Sequence, residues 1–380
     1  MGACPPFLSD LLADLVRLPS VNPALAPESG TGEAAVAAFA RDWLATHGVR
    51  AWLEPGAAGR PNLVAEVGEG RGNPEARTLV LCAHLDTVGI EGMARPFEPR
   101  VEAGRLFGRG AYDMKGGVAA VMAAMTDLQR EPPPGRVLAA LLADEEHASL
   151  GAQAFVAAHR ADGCILTEPS EGDLVLAHKG FAWLEVTVAG RAAHGSRCDL
   201  GDSAIENAAA ALAALRRFDR EVLRGRAHPL VGPASQHVAT IAGGSGWSTY
   251  AERCTFGIER RLLPGEDAGT ARSETAAVLA EAGVEGEIRL VLDRPPLVCD
   301  RDAAVAVAAR AAVAEVTGRV PRETGVAYWM DAAIFAASGI PTVDYGPSGA
   351  GAHETVEWVD LSSVAHCARV LAVAARRFLG

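Results

Sequence analysis

The chain has no run of about 18 uninterrupted apolar residues, the length a helical membrane span requires. Its first ten residues, Met1 to Asp10, carry neither a basic stretch nor an apolar segment of signal-peptide length. A soluble, cytoplasmic protein without a membrane partner is therefore expected. There is no Cys-x-x-Cys pair: the seven cysteines, at 4, 82, 164, 198, 254, 299 and 367, are odd in number and widely spaced. That pattern argues against a disulfide framework and against a thiolate zinc cage, and leaves free thiols. No segment is rich in Lys or Arg, and 47 acidic residues against 35 basic ones give a formal charge of −12. Such a balance argues against nucleic acid, whose phosphates need a basic face. An anionic small molecule would need a local cation working against the overall field. No internal repeat or low-complexity tract occurs. No Gly-x-Ser-x-Gly nucleophile elbow occurs either, since Ser245 in Gly243-Gly-Ser-Gly lacks the strand–turn–helix setting of a serine hydrolase.

What is present fits a globular enzyme. The 380 residues are comfortable for two domains, and 49% hydrophobic against 22% charged residues suit a folded core. Up to about residue 178, helical and strand patterns alternate. A helix is predicted over Glu33 to His47, stopped by Gly48, and another over Gly116 to Leu128. Short apolar strands at Arg77 to Leu85, Arg136 to Ala143 and Cys164 to Thr167 each run into polar residues. This alternation predicts an α/β sandwich with buried strands and ligands at their C-terminal ends.

The character changes near Lys179. Phe181 to Val188 alternates like a half-exposed strand, a helix follows at Ser203 to Phe218, and strands are predicted at His237 to Ala242, Cys254 to Arg261 and Glu287 to Leu292. That order marks a small α+β insert with an antiparallel sheet. After Arg294-Pro-Pro the first style resumes, with a strand at Ile340 to Tyr345 and a closing helix at Leu361 to Phe378. The expected layout is a catalytic α/β domain over 1–178 and 294–380, with a mixed sheet, interrupted by an insert at 179–293 and hinged near 178 and 294.

Possible metal ligands gather at the ends of the apolar strands or in the loops after them: His84 and Asp86, Asp113, the Glu145-Glu146 pair, Glu168, and later His353. Imidazoles with carboxylates suit zinc, and two zincs sharing a carboxylate need about five protein ligands. An all-oxygen magnesium or calcium site would not recruit histidine. Each residue also has a plainer reading. A single His after a strand is commonly a hydrogen-bonded structural group, Glu-Glu is commonly solvated, and Asp113 beside Lys115 could be a surface ion pair.

The motifs together resemble the zinc aminoacylase/carboxypeptidase family that includes acetylornithine deacetylase, succinyl-diaminopimelate desuccinylase and the glutamate carboxypeptidases. The resemblance spans essentially the whole chain. It rests on His84-Leu-Asp86, Gly110-Ala-Tyr-Asp113-Met-Lys-Gly-Gly, Asp144-Glu145-Glu146, Thr167-Glu168-Pro169, Ala193-His194-Gly-Ser, Arg261 with Pro264-Gly265, and His353 with Glu357. It implies two zinc ions, with cobalt or manganese as possible substitutes. His84 and Glu168 would hold one and Glu146 and His353 the other, with Asp113 bridging them. It further implies Glu145 as general base, Asp86 accepting the second ring N–H of His84, a cis peptide after Asp113, and an insert that makes a homodimer.

The reaction so implied is metal-dependent hydrolysis of the amide of an N-acyl amino acid, acetylornithine-type substrates first, through a hydroxide held between the metals. His194, reaching from the other subunit, would stabilise the oxyanion and contact substrate. Arg261 would clamp a carboxylate, although Arg260 beside it competes for that role on the opposite strand face. A metallo-exopeptidase acting on a short peptide, a desuccinylase-type activity, and a non-catalytic metal-binding protein are the alternatives. The segment Gly246-Trp-Ser-Thr-Tyr-Ala and the run Tyr328-Trp-Met-Asp331 depart from the family pattern, so acyl specificity is open. Tyr328, Trp329 and Trp247 would line an apolar substrate pocket or belong to the core.

Overall fold

A computed structural model describes residues 4–56, 59–90 and 92–380. The chain divides into two compact units. One holds the residues up to Leu176 together with Cys299–Thr324 and Met330–Gly380; the other holds Ala177–Val298 with Gly325–Trp329.

The first unit is built on a mixed sheet in the order Arg50–Glu54, Asn62–Val67, Arg136–Leu142, Thr78–His84, Gly163–Leu166, Thr342–Asp344, Leu174–His178. The four strands from Arg136–Leu142 to Thr342–Asp344 run parallel, and antiparallel strands flank them. Every residue of Thr78–His84 and Gly163–Leu166 is buried. Continuous apolar strands of this kind need cover on both faces, and helices supply it. Gly116–Arg130 packs with Pro6–Arg17 and Leu361–Leu379, while Leu150–Ala158 packs with Ala332–Ala337. Each fully buried Leu or Val contributes about 1.5–3 kcal/mol by leaving water. Close approach sets one glycine: a Cβ on Gly117 would lie 2.5 Å from the Thr167 carbonyl oxygen, so the helix start can reach that loop only without a side chain there. Short strands missed by periodicity (Arg100–Glu102, Arg105–Phe107, Gly349–Ala350 and Trp358–Asp360) make a second small sheet.

The second unit is an antiparallel sheet in the order Ser235–Gly243, Arg253–Leu262, Gly180–Ala189, Gly286–Arg294, with helices Ala204–Glu221 and Ala268–Glu281. Along Gly180–Ala189 burial alternates: Ala182, Leu184, Val186 and Val188 enter a core shared with the helices, and Phe181, Trp183, Glu185 and Thr187 face the other way. Both helices start on side-chain caps, Ser203 accepting from the Glu206 N–H and Asp267 from that of Thr270. The edge strand Ser235–Gly243 is largely exposed. Among the described residues no helix is long and apolar enough to cross a membrane.

Candidate metal centre

The parallel strands of the first unit end in acidic and imidazole side chains. His84 closes its strand, Glu145 and Glu146 lie just beyond Arg136–Leu142, and Glu168 follows Gly163–Leu166. Asp113 sits in the tight turn Ala111–Lys115, which contains a cis peptide between Asp113 and Met114. His353 adopts a left-handed backbone conformation, φ 62°, between the two last strands of the small sheet.

These side chains converge. His84 Nε2 lies 3.1 Å from Asp113 Oδ1 and 3.6 Å from Glu168 Oε1. His353 Nε2 lies 3.2 Å from the other Asp113 oxygen, Oδ2, and 3.1 Å from Glu146 Oε2. Asp113 thus presents one oxygen to each imidazole. Ligand atoms of His84, Glu145 and Glu168 fall within 4.8 Å of one another, as do those of His84, Asp113 and Glu146. The half-buried Glu145 is held through its main chain, whose N–H donates to Asp86 Oδ1 at 3.1 Å, and the Glu146 N–H donates to Asp86 Oδ2 at the same distance.

Asp86 therefore ties the acidic pair to the His84 strand. The nearest oxygen to His84 Nδ1 is the Asp86 main-chain carbonyl at 3.0 Å, with the carboxylate at 3.5 Å. Behind the pair runs a buried network that the sequence reading missed. Asn22 donates to Asp86 Oδ2 (2.8 Å) and Asp144 Oδ1 (3.0 Å), while Arg60 pairs with Glu33 and with Asp144 (2.6 Å). Its bonded partners lie 27 to 122 residues apart, so no local spacing announces them. Lys115 is not a surface partner of Asp113. It is fully buried, and its Nζ donates to the Leu15 and Leu18 carbonyls at 3.0 and 2.7 Å, satisfying the end of helix Pro6–Arg17; burial lowers its pKa to about 7.

The electrostatics of the cluster are those of a site made for cations. Burial lifts the Glu145 and Glu168 carboxyls well above the ordinary carboxylate range and raises Glu146, and neighbouring carboxylates add to each effect. Asp113 is held low despite burial because His353 and His84 bond to it. Burial opposes a proton on His84, but Glu168 and Asp113 outweigh it and hold the ring charged; hydrogen bonds to Asp113 and Glu146 push His353 up to about 10. Glu146 Oε1 is also buried without a hydrogen-bond partner among the described residues. Two imidazoles among carboxylates are the donors of zinc and similar ions, so the residues fit two such cations.

The other site residues named from the sequence belong to the second unit. His194 is exposed, with Nδ1 2.9 Å from Ser196 Oγ and 3.2 Å from the Ser196 main-chain nitrogen, so that Nε2 has the freer edge of the ring. Arg260 and Arg261 separate by strand alternation. Arg260 is 1% exposed and paired with Glu274 at 2.8 Å, in the helix-covered layer; Arg261 lies on the open face, bonded through Nε to Glu259 at 2.7 Å and 5.2 Å from the Phe181 ring centroid. Trp329 donates its indole N–H to the Pro295 carbonyl and meets Phe181 edge-on, so it is packed within its own unit. Trp247 is fully exposed, and Tyr328 is 44% exposed.

Residues 80–377 match the family model described as peptidase family M20/M25/M40. An acetylornithine deacetylase of Myxococcus xanthus is 32% identical over 342 residues, covering 87% of both chains. Among solved structures, an aminopeptidase of Bacillus cereus superposes with a TM-score of 0.79 at 20% identity over 98% of each chain. A dinuclear metal-binding peptidase of Bacillus subtilis gives 0.72 at 16% identity over 97% of each.

Proposed function

The chain belongs to peptidase family M20/M25/M40 and is an amidohydrolase, and from that premise we propose that it removes the acyl group of an N-acyl amino acid, acetylornithine-type substrates first. The observation that carries this reading is Asp113, with one oxygen on each of two imidazoles and Glu168 and Glu146 on the two sides. His84, Asp113 and Glu168 would hold one divalent cation and His353, Asp113 and Glu146 the other. When bound, the cations supply Lewis acidity toward the amide carbonyl and lower the pKa of water; zinc is the first assignment, with cobalt or manganese able to substitute.

The chain's own residues do the remainder. Glu145, beside the cluster with its main chain fixed by Asp86, takes the proton of the attacking water and delivers it to the departing nitrogen. Asp86 is the positioning residue for the acidic pair and for the His84 ring. His194 donates from Nε2 to the carbonyl oxygen as negative charge grows there. Arg261 takes the substrate α-carboxylate, since Glu259 bonds its Nε and no hydrogen bond to the outer fork occurs among the described residues. Arg260 is committed to Glu274 and is not that clamp.

The insert is assigned as the dimerisation element, over 179–293 with hinges near 178 and 294. In support, its edge strand Ser235–Gly243 is exposed and presents Val238 and Ile241, the kind of edge that pairs with a second copy. A dipeptide or C-terminal residue presents the same carbonyl chemistry and the same carboxylate, so exopeptidase action is the second reading.

The test is release of free amine from a panel of N-acyl amino acids and dipeptides. It is run with added zinc, after chelation, and with Glu145→Gln. We expect turnover that needs metal and falls on the order of 10²–10⁴-fold in Glu145→Gln, the usual size of a general-base contribution, while metal content stays at two per chain. Retained turnover in that variant would remove Glu145 from its role, and preference for dipeptides would move the assignment to the exopeptidase.

A further inference from the structure

The geometry points to Arg109 and Glu357 as a positioning pair that aims the two Asp113 oxygens at two cations; this rests on the metal reading given above. Glu357 immediately precedes the strand Trp358–Asp360, whose register places Trp358 opposite Phe107. Glu357 therefore lies beside Gly108, whose N–H donates to its carbonyl at 3.2 Å. From there its carboxylate reaches across the Asp113 turn. Oε1 accepts the N–H groups of Tyr112 (2.9 Å) and of Asp113 itself (3.0 Å), and Oε2 accepts that of Gly110 (2.9 Å). Three main-chain donors converging on one carboxylate make an anion nest filled by the protein's own side chain. Gly110 supplies its inward N–H from a left-handed conformation, φ 77°, and a Cβ there would lie 2.6 Å from Thr87 Cγ2.

Arg109 completes the arrangement, and each of its three guanidinium nitrogens has a named partner. Nη1 bonds Glu357 Oε2 at 2.8 Å, Nε donates to the Gly89 carbonyl at 2.9 Å, and Nη2 donates to the Glu354 carbonyl at 3.0 Å, next to His353. Their side chains are only 2% and 1% exposed. The pair thus ties together the loop after His84, the turn of Asp113 and the loop of His353. A buried ion pair is by itself weak evidence of stability, because desolvation offsets the attraction. What sets this one apart is where its bonds go: to the main chain of one bridging carboxylate and of the residue next to an imidazole. Asp113 must satisfy two partners at once, so its turn cannot drift toward either without losing the other.

The experiment measures metal affinity by chelator competition and the visible absorption of the cobalt(II)-loaded chain, with thermal melts of the metal-free protein as a check on folding. Glu357→Gln keeps the size of the side chain but turns an acceptor into a donor facing the nest. It is expected to weaken both ions about 10–100-fold, the usual effect of disturbing a ligand's supporting partner, and to change the cobalt spectrum. Arg109→Lys keeps a cation beside Glu357 but cannot reach Gly89 and Glu354 together; it should weaken the ion on the His353 side more than the other. A folded Glu357→Gln with wild-type affinity and spectrum overturns the inference. Should that variant fail to fold, an unaltered Arg109→Lys overturns it and a weakened one supports it. A wild-type chain that binds no metal overturns the metal reading and this inference with it, before any substitution is made.

Discussion

In the first unit His84, Glu145, Glu146 and Glu168 stand at or just beyond the ends of buried strands, Asp113 and His353 come from a turn and a loop, and most have a main-chain bond that fixes their backbone. In the second unit the named residues meet water: His194 and Trp247 are exposed, and Arg261 keeps about a third of its side chain accessible. Crowded carboxylates and imidazoles must be locked against their own repulsion, because a low-dielectric cluster magnifies any misplacement. Groups that meet a substrate or a second copy must instead stay open until it arrives. The contrast separates a region that sets the reaction from one that sets what is recognised.

The largest effect that would break this contrast is metal removal. In the first unit burial and neighbouring carboxylates raise Glu145, Glu146 and Glu168, so cations bound there are linked to folding. Chelation is expected to abolish hydrolysis and lower the melting temperature of the first unit, with stabilisation rising as RT ln(1 + [L]/Kd), about 4 kcal/mol at a thousandfold excess over Kd. Calorimetry with and without zinc checks it. Equal melting in both conditions would mean that the cluster is not organised around cations.

How much of this was readable beforehand follows from range. The parallel strands announce themselves because an unbroken apolar run can be a buried strand, and the first polar residue after it marks the end where ligands gather. His84, Glu145 and Glu168 are candidates on that ground, and their division into ligands and base comes from the family resemblance. Alternation likewise placed Arg260 and Arg261 on opposite faces of one strand, but which face is covered depends on helices elsewhere in the chain, so Arg260 in its helix-covered layer had to be seen. Asp86 is expected as a support and Glu357 accompanies His353 in the motifs, but what the remaining supports bond to is not legible in the sequence. Glu357 bonds to the Asp113 N–H from 244 residues away, and Lys115 turns to carbonyls about 100 residues back rather than to Asp113 beside it. The small sheet that carries Glu357 to its place has strands of two or three residues, too short for any periodicity.

A second effect tests whether the exposed unit serves another copy of the chain. His194→Ala is expected to cost on the order of 10²–10³-fold in kcat, the size of one oxyanion donor. Glu145→Gln is expected to be as inactive for a different reason. If each active site draws His194 from its partner, mixing the two variants and allowing subunits to exchange should restore about one quarter of wild-type sites, because half the dimers are mixed and each holds one intact site. No recovery, with exchange verified by light scattering of tagged chains, would place His194 in its own subunit's chemistry or outside it.

Arg260 and Arg261 then offer the same comparison within one strand. Arg261→Ala should raise KM about 10–100-fold for substrates with a free α-carboxylate, matching about 1.5–3 kcal/mol for a charge-assisted bond, with kcat and melting temperature nearly unchanged. Arg260→Ala should do the reverse, losing about 2–3 kcal/mol of stability by emptying the space of a wholly buried side chain, while Glu266 and Glu274 keep Arg226 as a partner and KM is unmoved. Steady-state kinetics beside denaturant melts read both, and an exchange of the two phenotypes would overturn the assignment.

Trp247 gives the smallest effect and the sharpest view of the open region. Its segment is bonded to that of His194, through the Gly195 N–H to the Ser248 carbonyl at 2.7 Å and the Tyr250 N–H to the Ala193 carbonyl at 2.9 Å. An indole wholly in water contributes nothing to the fold by burial, so Trp247→Ala should leave stability within about 0.5 kcal/mol of wild type. Its value must lie in what covers it. If that is substrate, the variant should raise KM several-fold for N-acyl substrates with bulky apolar acyl groups, since burying part of an aromatic face is worth about 1 kcal/mol or more, and leave acetyl substrates unaffected. A uniform loss across the acyl series would instead assign Trp247 to the contact between subunits, and a fall in dimer affinity by sedimentation would accompany it.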